Sequence, residues 1–271
     1  MHHSKYDYVK QIVEANLNPL LVGTSGTGKT TLFRQIAEDL GLDFYSIPLT
    51  KQTSVGNLLG FISVNGTYIP SQFRTAYEHG GMFLLDELSS GDSNTLLVLN
   101  SLEAGFMSFP DKIIYTHPDF RLVATDNPHS EHNIYTGRNL PDFSTTDRFY
   151  EIPLERDSQL ELSLTSQETV EQVDYLRDFL VQYGSTMKVT MRDATRIHKL
   201  SQLNLDDDPL ISVVLHKDPA LLETYHNDQA ERKRKQQEAE EARRAEEARN
   251  NRSQSEAENL DDLFDLIKQG K

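Results

Sequence analysis

Short, compact apolar runs alternate with helical spacing along the first 156 residues. Tyr6 to Asn16 reads as a short helix, and Pro19-Leu20-Leu21-Val22, ending at glycine, reads as a buried strand. From Gly28 to Leu40 the apolar positions Leu32, Ile36, Ala37 and Leu40 follow a helical period, and Gly41 stands where such a helix stops. Phe44-Tyr45-Ser46-Ile47 is the next strand. Strand, helix and strand of these lengths begin a βαβ unit, which implies a parallel sheet covered by helices on both faces.

Two segments leave that alternation. Asn65-Gly66 separates Phe61–Val64 from Thr67–Ile69 and predicts a hairpin within about residues 57–69. A second hairpin is expected at about 106–115, with Phe106–Phe109 and Ile113–Tyr115 around Pro110-Asp111. Between them lie a strand, Met82–Leu85, and a helix carrying Leu96, Leu97, Leu99 and Leu102. Strands Phe120–Thr125 and Phe149–Ile152 complete the core, assigned to residues 1–156.

After residue 157 the pattern becomes helical. Thr165 with Glu168 resembles a capping box opening a helix with Val170, Val173, Leu176, Leu180 and Val181 on its apolar side. Helical pieces at Asp193–Leu203 and Pro209–Tyr225 extend an all-α lid domain to residue 227. Residues 228–258 have Ala as their only apolar residue, so no heptad seam exists, and a charged helical or flexible tether is expected. In 259–271, Leu260, Leu263, Phe264 and Ile267 form one stripe of an amphipathic docking helix.

Composition narrows the options. The chain has 271 residues, no cysteine, and 42 Asp+Glu against 27 Lys+Arg, for a formal charge of −15. Disulfides and thiolate zinc sites are excluded, and the acidic body disfavours nucleic acid as main partner. No run approaches the ~18 apolar residues of a membrane span, and the N-terminus lacks a signal-peptide core, so the cytoplasm is the expected location.

Gly23-Thr24-Ser25-Gly26-Thr27-Gly28-Lys29-Thr30 matches G-x-x-x-x-G-K-[ST] between a predicted strand and a predicted helix. Its glycines let backbone N–H groups turn around phosphates. Lys29 is expected on the β and γ phosphates, Thr30 on Mg²⁺ and Thr31 at the α phosphate. The strand Met82–Leu85 ends in Asp86, suited to the metal shell, and Glu87, suited to polarising an attacking water. Asn127, after Leu122–Asp126, is either a second contact for that water or γ phosphate, or a turn residue before Pro128. Arg148 is either a strand-edge residue or a charge offered to a neighbour's γ phosphate. Tyr6 and Tyr8 either stack near adenine or pack the terminal helix. His129 and His132 as a metal pair, and Arg138 at a subunit boundary, are weaker candidates.

The succession Gly23–Thr31, Leu59-Gly60-Phe61, Gly80–Glu87, Ala124–Pro128 and Asp147-Arg148-Phe149 resembles the MoxR and dynein-related AAA+ ATPases, over roughly residues 5–205. Within them it is most similar to proteins like the small ATPase subunit of cobalt chelatase. The resemblance implies an α/β P-loop NTPase with ATP and Mg²⁺ as ligands, Asn127 as sensor 1, Arg148 as arginine finger and a hexameric ring acting on a protein client or adaptor. It casts the hairpins as inserts lining one face or the pore. Sensor 2 falls to Arg192 in Met191-Arg192-Asp193-Ala194, although the family's preceding proline is absent and Arg196 lies one turn on. Two rival activities remain, a nucleotide-dependent scaffold with little turnover and a DNA-acting or GTP-using NTPase.

Overall fold

The computed structural model describes residues 1–128, 147–203 and 207–268, the positions 245, 246 and 248–268 by backbone alone. Two compact units result, Met1–Leu205 and Asp206–Lys271.

The first unit is built on five parallel strands, β1 (Pro19–Val22), β2 (Phe44–Pro48), β5 (Gly81–Asp86), β8 (Phe120–Asp126) and β9 (Tyr150–Pro153), in the order β2-β5-β8-β1-β9. Strand alternation divides their apolar side chains between two faces. Leu20, Phe83, Leu85, Leu122 and Ala124 join one buried cluster, while Leu21, Met82, Leu84, Val123 and Ile152 join the other. Burial on both faces explains why these strands read as unbroken apolar runs. The second face is covered by α1 (Tyr6–Glu14) and α2 (Lys29–Asp39), through Val9, Val13, Leu32, Phe33 and Ile36. β9 starts one residue later than the expected Phe149, whose buried ring joins the first cluster from just outside the strand.

The first face is covered by α4 (Gln72–His79), a helix the strand-and-turn reading did not single out. It carries Phe73, Ala76 and Tyr77 at helical spacing, with the Ser71 hydroxyl accepting from the Arg74 N–H as N-cap. Before it come α3 (Val55–Leu59) and the expected first hairpin, β3 (Phe61–Ile62) with β4 (Tyr68–Ile69). The second hairpin is β6 (Phe106–Ser108) with β7 (Ile113–Tyr115). Arg74, only 3% exposed, fastens both. Its guanidinium lies 5.1 Å from the Tyr68 ring and 4.5 Å from the Phe109 ring, and it donates to Asp111 at 2.7 Å and Glu78 at 2.8 Å. The helix expected around Leu96–Leu102 is one α turn, α5 (Ser93–Leu96), continued as a 3-10 stretch to Ala104.

Three helices finish this unit, α6 (Ser158–Leu164), α7 (Gln167–Gln182) and α8 (Met191–Ser201). The cap of α7 is Ser166 rather than Thr165, and its hydroxyl accepts from the Thr169 N–H. The Thr165 hydroxyl instead donates to the Glu161 carbonyl in the last turn of α6. One buried network binds the helices together. Glu161, 0% exposed, accepts from Arg156 at 2.6 Å and from Arg177 at 2.7 and 3.0 Å.

The second unit holds α9 (Pro209–Val213), a 3-10 turn and α10 (Pro219–Lys268). The charged run is thus helical, supported by i,i+4 pairs such as Lys235–Glu231 and Arg244–Glu240. Among the described residues no helix is long and apolar enough to cross a membrane.

Candidate functional site

Parallel strands gather their carboxyl ends along one edge, and ligands of such sheets bind in the crevice beyond it. Here the chain leaves β1 into the glycine-rich loop, leaves β5 at Asp86-Glu87, and leaves β8 at Asp126-Asn127. Gly26 and Gly28 adopt φ of +80° and +90°, the left-handed conformations that let the loop curl. The Thr27 hydroxyl closes the curl by donating to the Thr24 carbonyl at 3.0 Å. α2 begins directly at Lys29 with no side chain capping it, so its first N–H groups, including those of the half-buried Thr30 and exposed Thr31, point toward the loop.

Lys29 occupies the centre. Its ammonium donates to the Gly23 carbonyl at 2.6 Å, the Thr24 carbonyl at 3.1 Å and Asn127 Oδ1 at 3.1 Å. Burial lowers its pKa, opposed by the carboxylates of Asp86, Asp126 and Glu87. Lys29 and Asn127, 98 residues apart in sequence, are thereby joined directly.

The acidic side is set by contacts from β8. Glu87 sits at φ 58°, ψ 58°, left-handed for a non-glycine residue, and its side chain is exposed to the cleft. Its N–H donates to Thr125 Oγ1 at 3.3 Å, and the Thr125 hydroxyl donates to Asp86 Oδ1. The buried Asp126 carboxylate accepts from the Ser89 hydroxyl at 2.7 Å, the Ser89 N–H at 3.1 Å and the Asn127 N–H at 2.8 Å. Neither Thr125 nor Asp126 stands out in the sequence, because partners 37 to 39 residues away leave no local trace.

Thr24–Thr27, Glu87 and Asn127 line a cleft of about 1030 Å³ whose far wall includes Arg177 and Thr190. The curled glycine loop, the lysine and a helix N-terminus suit a nucleotide's phosphates. Thr30 and Asp86 offer hard oxygen donors of the kind Mg²⁺ takes. Among the described residues no three His, Cys, Asp or Glu side chains cluster to hold a metal by themselves. A Mg²⁺ ion shared between one carboxylate and phosphates needs no such cluster.

Of the two sensor-2 candidates, Arg192 opens α8 beside Gly26, and its charge reaches Lys29. Arg196 is exposed and pairs with Asp193 at 3.6 Å. Arg148 does not line that cleft; its side chain is 16% exposed, with Nε 3.3 Å from Glu103 Oε1 beside a smaller hollow of about 250 Å³. Tyr6 packs α1 onto α2, donating to Asp39 at 2.5 Å, and Tyr8 meets Tyr150 at 2.9 Å, so both pack the terminal helix. His129, His132 and Arg138 lie outside the described residues.

Residues 18–149 match the AAA domain of the dynein-related subfamily. Midasin of Giardia intestinalis is 29% identical over 150 residues, covering 52% of this chain and 3% of that protein. Midasin of Dictyostelium discoideum is 33% identical over 120 residues, 40% of this chain and 2% of that protein. The chain thus spans a small fraction of the length of these relatives. A solved putative ATPase from Cytophaga hutchinsonii is similar at 18% identity, with TM-score 0.48, covering 73% of this chain and 58% of that one. With its glycine-rich loop, the Asp86-Glu87 turn and Asn127 at the carboxyl ends of neighbouring parallel strands, the chain has the P-loop AAA fold, and its residues 18–149 are similar to the AAA domain of the dynein-related subfamily, a domain of ATPases.

Proposed function

We propose that the chain hydrolyses ATP with Mg²⁺ at the boundaries of a homo-oligomeric ring, a hexamer, and uses the resulting movements to remodel a protein client. The carrying observation is the division of the site. Glu87 and Asn127 line one cleft, with Lys29 bonded to Asn127 and Asp86 tied to Glu87 through Thr125, whereas Arg148 stands apart beside Glu103. Lys29 and Asn127 hold the γ phosphate, Arg192 approaches it from α8, and Glu87 takes the proton of the attacking water. Thr30 and Asp86 would hold Mg²⁺, which supplies charge neutralisation on the phosphates. Arg148, released from its exposed partner Glu103, offers its charge to the neighbouring protomer's nucleotide. A cytoplasmic location, and an adaptor of the chelatase type that presents the client, complete the proposal. A mere nucleotide-bound scaffold has no use for Glu87 or Arg148, and the charge of −15 disfavours DNA.

Mixing tests the shared site. Arg148→Ala is expected to bind ATP but lose about 10³-fold or more in turnover, and Lys29→Ala to lose binding. Combined, the two regain turnover, because some boundaries pair an intact pocket with an intact arginine. Full turnover by Arg148→Ala, or by an isolated monomer at every concentration, contradicts the proposal.

A further inference from the structure

We infer that Thr125 is a positioning residue that sets both acidic groups of the site through one hydroxyl. Resting on the roles proposed for Asp86 and Glu87, the inference deepens that reading. Thr125 is 0% exposed, near the carboxyl end of β8, the strand between β5 and β1. A hydroxyl has one proton to give and lone pairs with which to accept. The Glu87 N–H can only donate, at 3.3 Å, so it takes a lone pair, and the Thr125 proton goes to Asp86 Oδ1. The direction of both bonds follows from the partners alone.

Each bond meets a specific need. The first anchors the backbone of Glu87, one of only two non-glycine residues at positive φ among those described, a strained conformation that persists only where its surroundings over-determine it. The second fixes the rotation of the Asp86 carboxylate, and an orienting hydrogen bond of this sort tunes a metal ligand it never replaces. Asp126 holds the next stretch, taking the Ser89 N–H and hydroxyl. The turn bearing Glu87 is thereby gripped on both sides from one strand, and a shift of β8 would move both acids together.

Thr125→Val keeps the branched shape and removes the hydroxyl, and Thr125→Ser keeps the hydroxyl and removes a methyl. For Thr125→Val, kcat is expected to fall about 10–100-fold and the Mg²⁺ concentration at half-maximal rate to rise by a similar factor, the usual loss of an orienting partner. ADP affinity in EDTA stays unchanged, since the phosphate loop is untouched. Hydrogen exchange of amides 87–90, measured without nucleotide, becomes faster. Thr125→Ser restores all three, and Thr125→Ala repeats the Val result if the valine protein folds poorly. Glu87→Gln runs in parallel. Wild-type turnover, Mg²⁺ dependence and exchange in Thr125→Val alongside an inactive Glu87→Gln overturn the role of Thr125. Full turnover by Glu87→Gln overturns the underlying reading instead.

Discussion

Replacing either of two glycines in the phosphate loop with alanine separates backbone strain from steric contact. Gly26 and Gly28 have φ of +80° and +90°, and the left-handed region costs an L side chain roughly 1–2 kcal/mol. A Cβ on Gly28 meets nothing within 4 Å, so strain is its whole penalty to the unliganded fold. A Cβ on Gly26 lands 2.7 Å from Thr190 Cβ and 2.8 Å from Thr190 Oγ1, far inside ordinary contact. Thr190 has no room to rotate away. Its hydroxyl is committed to Asp193 in the capping box of α8, at 2.7 Å, and the Asp193 carboxylate in turn holds the Thr190 N–H at 3.0 Å. The N-terminus of α8, with Arg192, has to withdraw from the loop, and overpacking of this kind adds about 1–3 kcal/mol. At about 2–4 °C per kcal/mol for a domain of this size, Gly26→Ala should melt about 2–12 °C below Gly28→Ala. Differential scanning calorimetry of the two nucleotide-free variants gives the comparison. Equal melting temperatures would refute the claim that the loop and α8 are in rigid contact.

Two further outcomes follow from the buried and half-buried charges. Glu161→Ala leaves Arg156 and Arg177 facing each other without their fully buried carboxylate, and denaturant unfolding should register a loss of about 3–5 kcal/mol. Glu78 is lowered from 4.5 to about 2, first by its hydrogen bond from Arg74 and then by that from Lys112. A depressed carboxylate stabilises above its unfolded pKa and loses that contribution as pH falls through the folded one. The stability gap between wild type and Glu78→Gln is therefore expected to be full above 4.5 and to close as pH falls toward about 2, and a gap that does not change with pH rejects the ion-pair account.

What was legible beforehand was what short segments encode by themselves. The glycine-rich loop has its glycines, lysine and threonine within eight positions, and β5 announces itself by the apolar run Met82–Leu85 before Asp86. Both hairpins were visible from turn residues between apolar runs. α4 stands unassigned between the hairpin at 57–69 and the strand Met82–Leu85 although Phe73, Ala76 and Tyr77 carry its period, because eight residues give that period only two turns in which to show. At α7 two adjacent hydroxyl residues compete for the cap. Thr165 loses because its side chain is already spent on the preceding helix. The roles of Thr125, Asp126 and Glu161 depend on strand and helix neighbours distant in sequence, so composition and period carry no hint of them.

The most direct test is a paired measurement on Glu87→Gln, ATP affinity with Mg²⁺ at equilibrium and steady-state phosphate release. The proposed Mg²⁺ donors Thr30 and Asp86 and the proposed phosphate-binding Lys29 are untouched, so affinity should match wild type while turnover falls by about 10²-fold or more, the scale of a lost general base. Affinity lost along with turnover would make Glu87 part of the binding pocket. Turnover at the wild-type rate would contradict the account, because the group assigned to the attacking water would then be dispensable.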